Sequence, residues 1–374
     1  MKRIIFILCV FISTHASALP IPSAPNLKAR SYHLTDFHSG TVLASKDADL
    51  KLAPASMTKI MTALIVFREL RHGNLSLSEN VRISEKAWRM PGSRMFIEVD
   101  KFVSVDDLLH GMLVQSGNDA TVALAEHIAG DEATFAQFMN QVAKELGMIN
   151  SHFMNSSGLP DDDHYTTAKD LSILTRALII ESPELYKINA IKEFTFNGIT
   201  QQNRNKLLWR DSTVDGVKTG HTEDAGYCLV SSAVRNNMRL ISVVMGTESI
   251  EARNNTNQAL LNYGYRFYKT HLLYKAQQSL SSTRVWKGAQ KTLPVGLAKN
   301  LYLTIPRNQY KALDASLEIK PRLMAPINKG QKVGSAVIKL KGEIIATRPL
   351  IALHKISEGS LMDRLKDDAL LMLE

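Results

Sequence analysis

Apolar residues recur along this chain with two different periods, and the change from one to the other divides it. Met57, Ile60, Met61, Leu64 and Phe67 are spaced three or four apart, which predicts a buried helix starting behind Pro54 and Ser56 and ending near His72-Gly73. The same spacing predicts helices over Val105–Leu113 and Ala120–Ala129, and another through Leu260, Leu261, Tyr265 and Tyr268. Residues 155–180 read as a Ser/Gly/Pro/Asp loop followed by a helix. Two-residue alternation marks Ala29–Phe37 and Thr41–Ala44 as a strand pair about Ser39-Gly40. Two apolar strands, Gly226–Val234 and Met238–Val244, about Asn236-Asn237 read as a hairpin. From about Thr283 only short alternating strands remain, broken by Lys-Gly pairs and by Pro294, Pro306, Pro321, Pro326 and Pro349. That pattern predicts a small all-β module, sandwich-like. After Ser360 an apolar stripe of Leu361, Leu365 and Met372 among charges predicts a short amphipathic helix.

The expected fold class is therefore α/β, an antiparallel sheet with helices followed by a β-sandwich. The expected division is a leader at residues 1–18, a first domain at 19–275, the β module at 276–357 and a tail at 358–374. The leader follows from Lys2-Arg3, the apolar run Ile4–Ile12 and Ala16-Ser17-Ala18, the order of a secretory signal cut after Ala18. Export to the periplasm is the expectation. Cys9 falls in that leader, which leaves Cys228 alone in an apolar run as a buried filler, with no intramolecular disulfide.

Charge separates the regions further. The whole chain carries +9, but residues 276–357 hold 14 Lys/Arg against 3 Asp/Glu, and residues 358–374 hold 2 against 5. The basic module, rather than the acidic tail, is expected to carry any peripheral contact with the anionic inner membrane. Asp161-Asp162-Asp163 reads as a solvated loop, since no further acidic residues follow at metal-ligand spacing.

Candidate chemistry starts at Ser56-Met57-Thr58-Lys59. A serine three residues before a lysine on one helix face has a nucleophile and an amine within reach of each other. The amine is the difficulty, because a free lysine is neutral only about once in 2,500 at pH 7. Bringing its pKa near neutrality takes about 4 kcal/mol of burial and cationic neighbours. Lys218, in Lys218-Thr219-Gly220, is the second cation that such a site requires; the bland alternative is an exposed lysine on an edge strand. Ser116-Gly117-Asn118 lies at a helix junction, where it either places a hydroxyl and an amide in a cleft or caps the helix. Met95-Phe96 either flank a cleft or pack into a core, and packing is the expectation.

Ser56-x-x-Lys59, Ser116-x-Asn118 and Lys218-Thr219-Gly220, in that order, resemble the triple signature of penicillin-binding proteins and serine β-lactamases. The fuller segments Pro54-Ala55-Ser56-Met57-Thr58-Lys59, Gln115-Ser116-Gly117-Asn118-Asp119-Ala120 and Gly216-Val217-Lys218-Thr219-Gly220-His221-Thr222 resemble the low-molecular-mass D-alanyl-D-alanine carboxypeptidases. The resemblance implies a serine peptidase acting on peptidoglycan stem peptides ending in D-Ala-D-Ala and inhibited by β-lactam antibiotics. It implies Ser56 as nucleophile, Lys59 as base and Ser116 as proton shuttle, with Asn118, Lys218, Thr219, Gly220, His221 and Arg253 binding substrate. Backbone N–H groups of Ser56 and of a residue near His221 would form the oxyanion hole. Arg253 has a bland alternative in surface pairing with Glu248 or Glu251. No cofactor, metal or nucleic-acid partner is implied. Two features depart from the pattern: the tail is acidic, and Glu223-Asp224 follows the third motif, where it bears on substrate preference. The rival readings are a cross-link endopeptidase, a β-lactamase and a non-catalytic wall-binding protein.

Overall fold

The computed structural model describes residues 22–373, so the leader at 1–18 lies outside the described residues. The chain divides into two compact units, Ala24–Gln278 with Lys299–Thr304, and Ser279–Ala298 with the residues from Ile305 onward.

The first unit is built on a five-stranded antiparallel sheet in the order Val42–Lys46, Ser31–Asp36, Met238–Thr247, Gly226–Arg235, Val214–Thr222. The central hairpin turns at Asn236 and Asn237, with φ of 50° and 63°. Those left-handed angles match the twist of the paired strands and suit asparagine. Successive residues of a strand face opposite sides, and Leu34 and Thr35 divide the sheet that way. Leu34 and Leu240 face helix Ile250–Phe267, where a Cβ on Gly264 would lie 2.6 Å from Leu240 and 3.2 Å from Leu34, so a glycine is needed for the approach. Thr35 faces helix Ala168–Glu181 and bonds Ser172 across 2.9 Å. A helical core then extends from that second face around helix Lys59–His72, whose Ile60, Met61, Leu64 and Phe67 are all buried.

The local geometry of the motifs differs from the sequence expectation in two places. Ser56 is not the start of an α-helix; Ala55–Thr58 is a 3₁₀ turn capped by Pro54, and the α-helix begins at Lys59. In a 3₁₀ turn side chains three apart eclipse, which brings Ser56 and Lys59 closer than an α-helical turn does. The helix expected to end at Leu113 stops at His110 and continues as a π turn over Gly111–Gln115, which leaves Ser116 left-handed at φ 67°. Cys228 is buried and free, as the apolar run implied.

The second unit is all-β, with one sheet in the order Leu313–Ile319, Lys332–Leu340, Glu343–Ala352, Thr292–Gly296, Ser281–Trp286, Leu323–Met324. Its two groups of strands join through the short pairing of Val295 with Ala352 and Gly296 with Ile351. The tail forms helix Leu361–Leu371, capped reciprocally by Ser360 and Asp363. The helix turns its acidic side inward. Asp367 is buried, accepting from the Lys287 backbone N–H and from Lys291 Nζ, with Arg284 at 3.7 Å, while Asp368 pairs with Lys287. Leu361, Met362, Leu365 and Met372 face outward and are exposed.

Candidate active site

The three motifs meet at one cleft. Lys59 is fully buried, and its Nζ lies 3.1 Å from Ser56 Oγ, 2.7 Å from Asn118 Oδ1 and 2.7 Å from the Ser157 carbonyl. Two of these partners can only accept from Lys59, so a neutral amine keeps both N–H bonds and turns its lone pair to the Ser56 hydroxyl. Burial, followed by the charge of Arg204, lowers its pKa from the usual lysine value to about 7, against the opposing pull of Asp119 and Glu132.

Lys218 occupies the facing strand, buried, with Nζ donating to Ser116 Oγ at 2.7 Å. Ser116 and Asn118 therefore do not cap the helix that follows them; both side chains are spent on the two lysines. Lys218 is itself driven well below the ordinary lysine value by burial and by Lys59, Arg204 and Arg253. Lys218 and Lys59 each disfavour the other's charged form, and the Arg204 guanidinium, which the motifs do not mark, is a further cation acting on both.

Val214–Thr222 is the edge strand of the sheet, and Gly220 is the residue that lets it lie against Ser56. A Cβ there would come within 2.8 Å of the Pro54 carbonyl and 3.2 Å of Ala55. The cleft between these elements has a volume of about 440 Å³. Ser56, Ser116, Thr219, Gly220, His221 and Arg253 line it, with Ser93 and Arg204, while Lys59, Asn118 and Lys218 lie beneath. The His221 ring packs on Tyr227 at 4.0 Å. Arg253 does not pair with Glu248 or Glu251. It is buried, its guanidinium donates at 3.4 Å to the carbonyls of Gly220 and Arg204, and its Nε has no partner. Burial lowers it to about 10. A buried cation without a carboxylate is costly, so its place at the cleft points to an anionic ligand.

Residues 19–249 match the family described as D-alanyl-D-alanine carboxypeptidase, and residues 268–358 match the C-terminal domain of penicillin-binding protein 5. The chain belongs to the D-alanyl-D-alanine carboxypeptidase family. It is 42% identical over 368 residues to the carboxypeptidase DacC of Escherichia coli K12, covering 96% of this chain and 92% of that one. The crystal structure of penicillin-binding protein 5 from Haemophilus influenzae matches with a TM-score of 0.87 and 39% identity over 90% of this chain and all of that one. Penicillin-binding protein D2 of Listeria monocytogenes, solved in an ampicillin-bound form, matches 64% of this chain and all of its own at 32% identity and a TM-score of 0.60.

Residues outside the three motifs adjoin the site, and sequence reasoning missed several of them. Arg204 carries no motif; it follows a short hairpin, and only the fold brings it beside Lys59 and Lys218. The Ser157 carbonyl is aimed at Lys59 by a loop whose N–H groups at Ser157, Gly158 and Leu159 all bond Asn155 Oδ1. Glu132 fixes the same loop, accepting from Ser156 N–H and Oγ. Asp224 lines a different depression behind Pro54-Ala55, together with Asp161, Asp162 and Asp163, and not the cleft.

Proposed function

We propose that this protein is a serine-type D-Ala-D-Ala carboxypeptidase that releases the terminal D-alanine of peptidoglycan stem pentapeptides through an acyl-enzyme on Ser56. The observation that carries the reading is a buried Lys59, its pKa lowered to about 7, against Ser56 Oγ in a cleft lined by Arg204, Lys206 and the buried Arg253 and by no acidic residue.

The stem peptide adds along the free edge of Val214–Thr222 as an extra strand. Its terminal carboxylate meets Arg253, Thr219 and Lys218, and the incoming anion favours the charged form of Lys218. Lys59 takes the Ser56 proton while Oγ attacks the penultimate D-alanine carbonyl. The oxyanion is held by the backbone N–H groups of Ser56 and His221, a device of roughly 10²–10³-fold in rate per donor. Ser116, bonded to Lys218, passes its proton to the departing D-alanine nitrogen and regains one from the Lys59 ammonium as the C–N bond breaks; water then adds to the ester, giving one proton to Lys59, which returns it to Ser56 Oγ as the acid leaves. Burial, helped by Arg204, gives Lys59 a neutral fraction large enough to start this cycle near pH 7.

The cationic rim favours a free chain terminus, and so a carboxypeptidase rather than a cross-link endopeptidase. A β-lactamase needs a separate base for rapid deacylation, and the cleft lining contains no Asp or Glu. The deciding experiment is mass spectrometry of a pentapeptide muropeptide after incubation with the protein. Loss of one D-alanine supports the reading, and an unchanged peptide, or cleavage only of cross-linked dimers, overturns it. Residues 1–18 direct the chain to the periplasm on this reading. No helix among the described residues is long and apolar enough to cross a membrane, and peripheral contact with the inner membrane falls to the C-terminal unit.

A further inference from the structure

Beside the cleft lies a second groove of about 320 Å³ that the reaction above does not use, lined by Trp88, Arg94, Phe96, Glu98, Asn197 and Ile199. Its two walls are continuations of the cleft walls. The loop that gives Ser93 to the cleft gives Arg94 and Phe96 to the groove. The segment that gives Gln202 and Arg204 to the cleft gives Asn197 and Ile199, on the hairpin Glu193–Phe196 with Ile199–Gln202. Gln201 Nε2 donates to the Arg94 carbonyl at 3.1 Å and holds the two walls together.

The loop is built to expose an aromatic ring. Phe96 has φ 67°, a strained value for a bulky residue, yet the residue is 45% exposed. The strain is held by Asp119, in the second motif, whose buried carboxylate accepts from the N–H groups of Met95, Phe96 and Ile97. The sequence expectation of two packing residues is thus half met, with Met95 buried beneath and Phe96 turned out. Trp88, 39% exposed, supplies a second ring; the Arg89 guanidinium lies over Trp88 and the Arg94 guanidinium over Phe96, each 5.4 Å from the ring centroid, so a ligand would stack on the opposite face of each ring.

We propose that this groove binds the glycan to which the stem peptide is attached. The inference rests on the carboxypeptidase reading and names a further part of the same substrate. Pyranose rings present C–H faces that stack on aromatic rings and hydroxyl edges that bond to polar side chains. Two aromatic faces with a rim of one Arg, one Glu and one Asn suit an uncharged, hydroxyl-rich ligand better than the charged stem. The reach agrees as well. Ser93 and Phe96 are three residues apart, at most about 11 Å, and the three stem residues upstream of the two D-alanines span about the same when extended.

The test compares D-alanine release from the free pentapeptide with release from the same peptide carried on its N-acetylglucosaminyl-N-acetylmuramyl disaccharide. The expected kcat/KM ratio favours the disaccharide form by about tenfold, the scale of one or two aromatic stacking contacts. Phe96→Ala and Trp88→Ala should each lower that ratio toward one, while release from the free peptide and acylation by benzylpenicillin stay at wild-type rates. A wild-type ratio of one, or a ratio that survives both substitutions, overturns the assignment. Equal slowing on both substrates assigns the groove to the peptide and overturns it too. A protein that releases D-alanine from neither substrate fails the functional reading instead. The groove is then judged by tryptophan fluorescence, in which the free disaccharide should give a saturable change that Trp88→Phe abolishes. Absence of that change overturns the glycan site.

Discussion

Lys218 Nζ donates to Ser116 Oγ across 2.7 Å, joining two segments 102 residues apart in the chain. With Lys59 bonded to Asn118, the two lysines each hold one side chain of the same short turn. The π turn at Gly111–Gln115 and the left-handed Ser116 present both side chains to the lysines at once. Lys218→Ala should therefore slow acylation by benzylpenicillin about 10- to 150-fold, the worth of a charged hydrogen bond, while still leaving a Ser56 adduct. Stopped-flow acylation with a fluorescent penicillin measures it, and a wild-type rate would detach Lys218 from the chemistry.

The acyl group itself should form on Ser56 and on no other residue. A β-lactam presents a strained amide where the D-Ala-D-Ala bond lies, so intact-mass analysis should show one benzylpenicillin adduct, absent in Ser56→Ala. An adduct that persists in that variant would sink the assignment.

Lys59→Arg should abolish acylation in a folded protein, because a guanidinium keeps the charge but does not release its proton in this range. The pH dependence has a definite sign. Lys59 acts as a base only when neutral, and its pKa is lowered to about 7. The acylation rate should rise with pH through about 7 and level off above it. Arg204→Gln removes a charge that favours the neutral amine, so the rising limb should move to higher pH. A limb that stays in place would assign the low pKa to burial alone.

Much of this site was readable in the chain because its parts are short-range patterns. Ser56 and Lys59 are three residues apart, and Lys218-Thr219-Gly220 precedes a hairpin marked by two asparagines. The helical and strand periods located both units for the same reason. What was not readable depends on residues distant in sequence. Arg204 acts on Lys59 through space, and Arg253 loses its surface carboxylates only because its helix packs on the sheet. The left-handed Phe96 depends on Asp119, 23 residues away. The 3₁₀ turn at Ser56 follows from the packing of Gly158 and Gly220 against Ala55, which no local propensity encodes.

That packing gives a stability prediction. Gly158 has φ +88°, and a Cβ there would collide with the Ala55 backbone carbonyl, leaving no flexible side chain to yield. Gly158→Ala should cost about 1–3 kcal/mol from the backbone conformation alone, and should also displace the turn that carries Ser56. Thermal unfolding and benzylpenicillin acylation measured together would check it, both falling in the variant. A variant with unchanged melting and rate would show that the turn relaxes freely.

The tail now carries a different expectation from the one its charge suggested. Its net charge of 2 Lys/Arg against 5 Asp/Glu opposes anionic lipid, but Glu358, Asp363, Asp367 and Asp368 are occupied within the C-terminal unit. Asp367 and Asp368 meet Arg284, Lys287 and Lys291, Asp363 closes the helix cap, and Glu358 pairs with Arg364. With its acidic side turned inward, the helix offers Leu361, Met362, Leu365 and Met372 to whatever lies outside. Apolar insertion by one short helix is weak, and attraction between the basic module and anionic headgroups adds to it. Peripheral attachment should then need both terms. Sedimentation with anionic liposomes should fall at high salt, and should fall at low salt for a chain ending at Ser357 and for Leu361→Asp/Leu365→Asp. Binding that survives loss of the tail but not salt would assign attachment to the lysines of residues 276–357 alone, and salt-insensitive binding that vanishes with the tail would assign it to the helix.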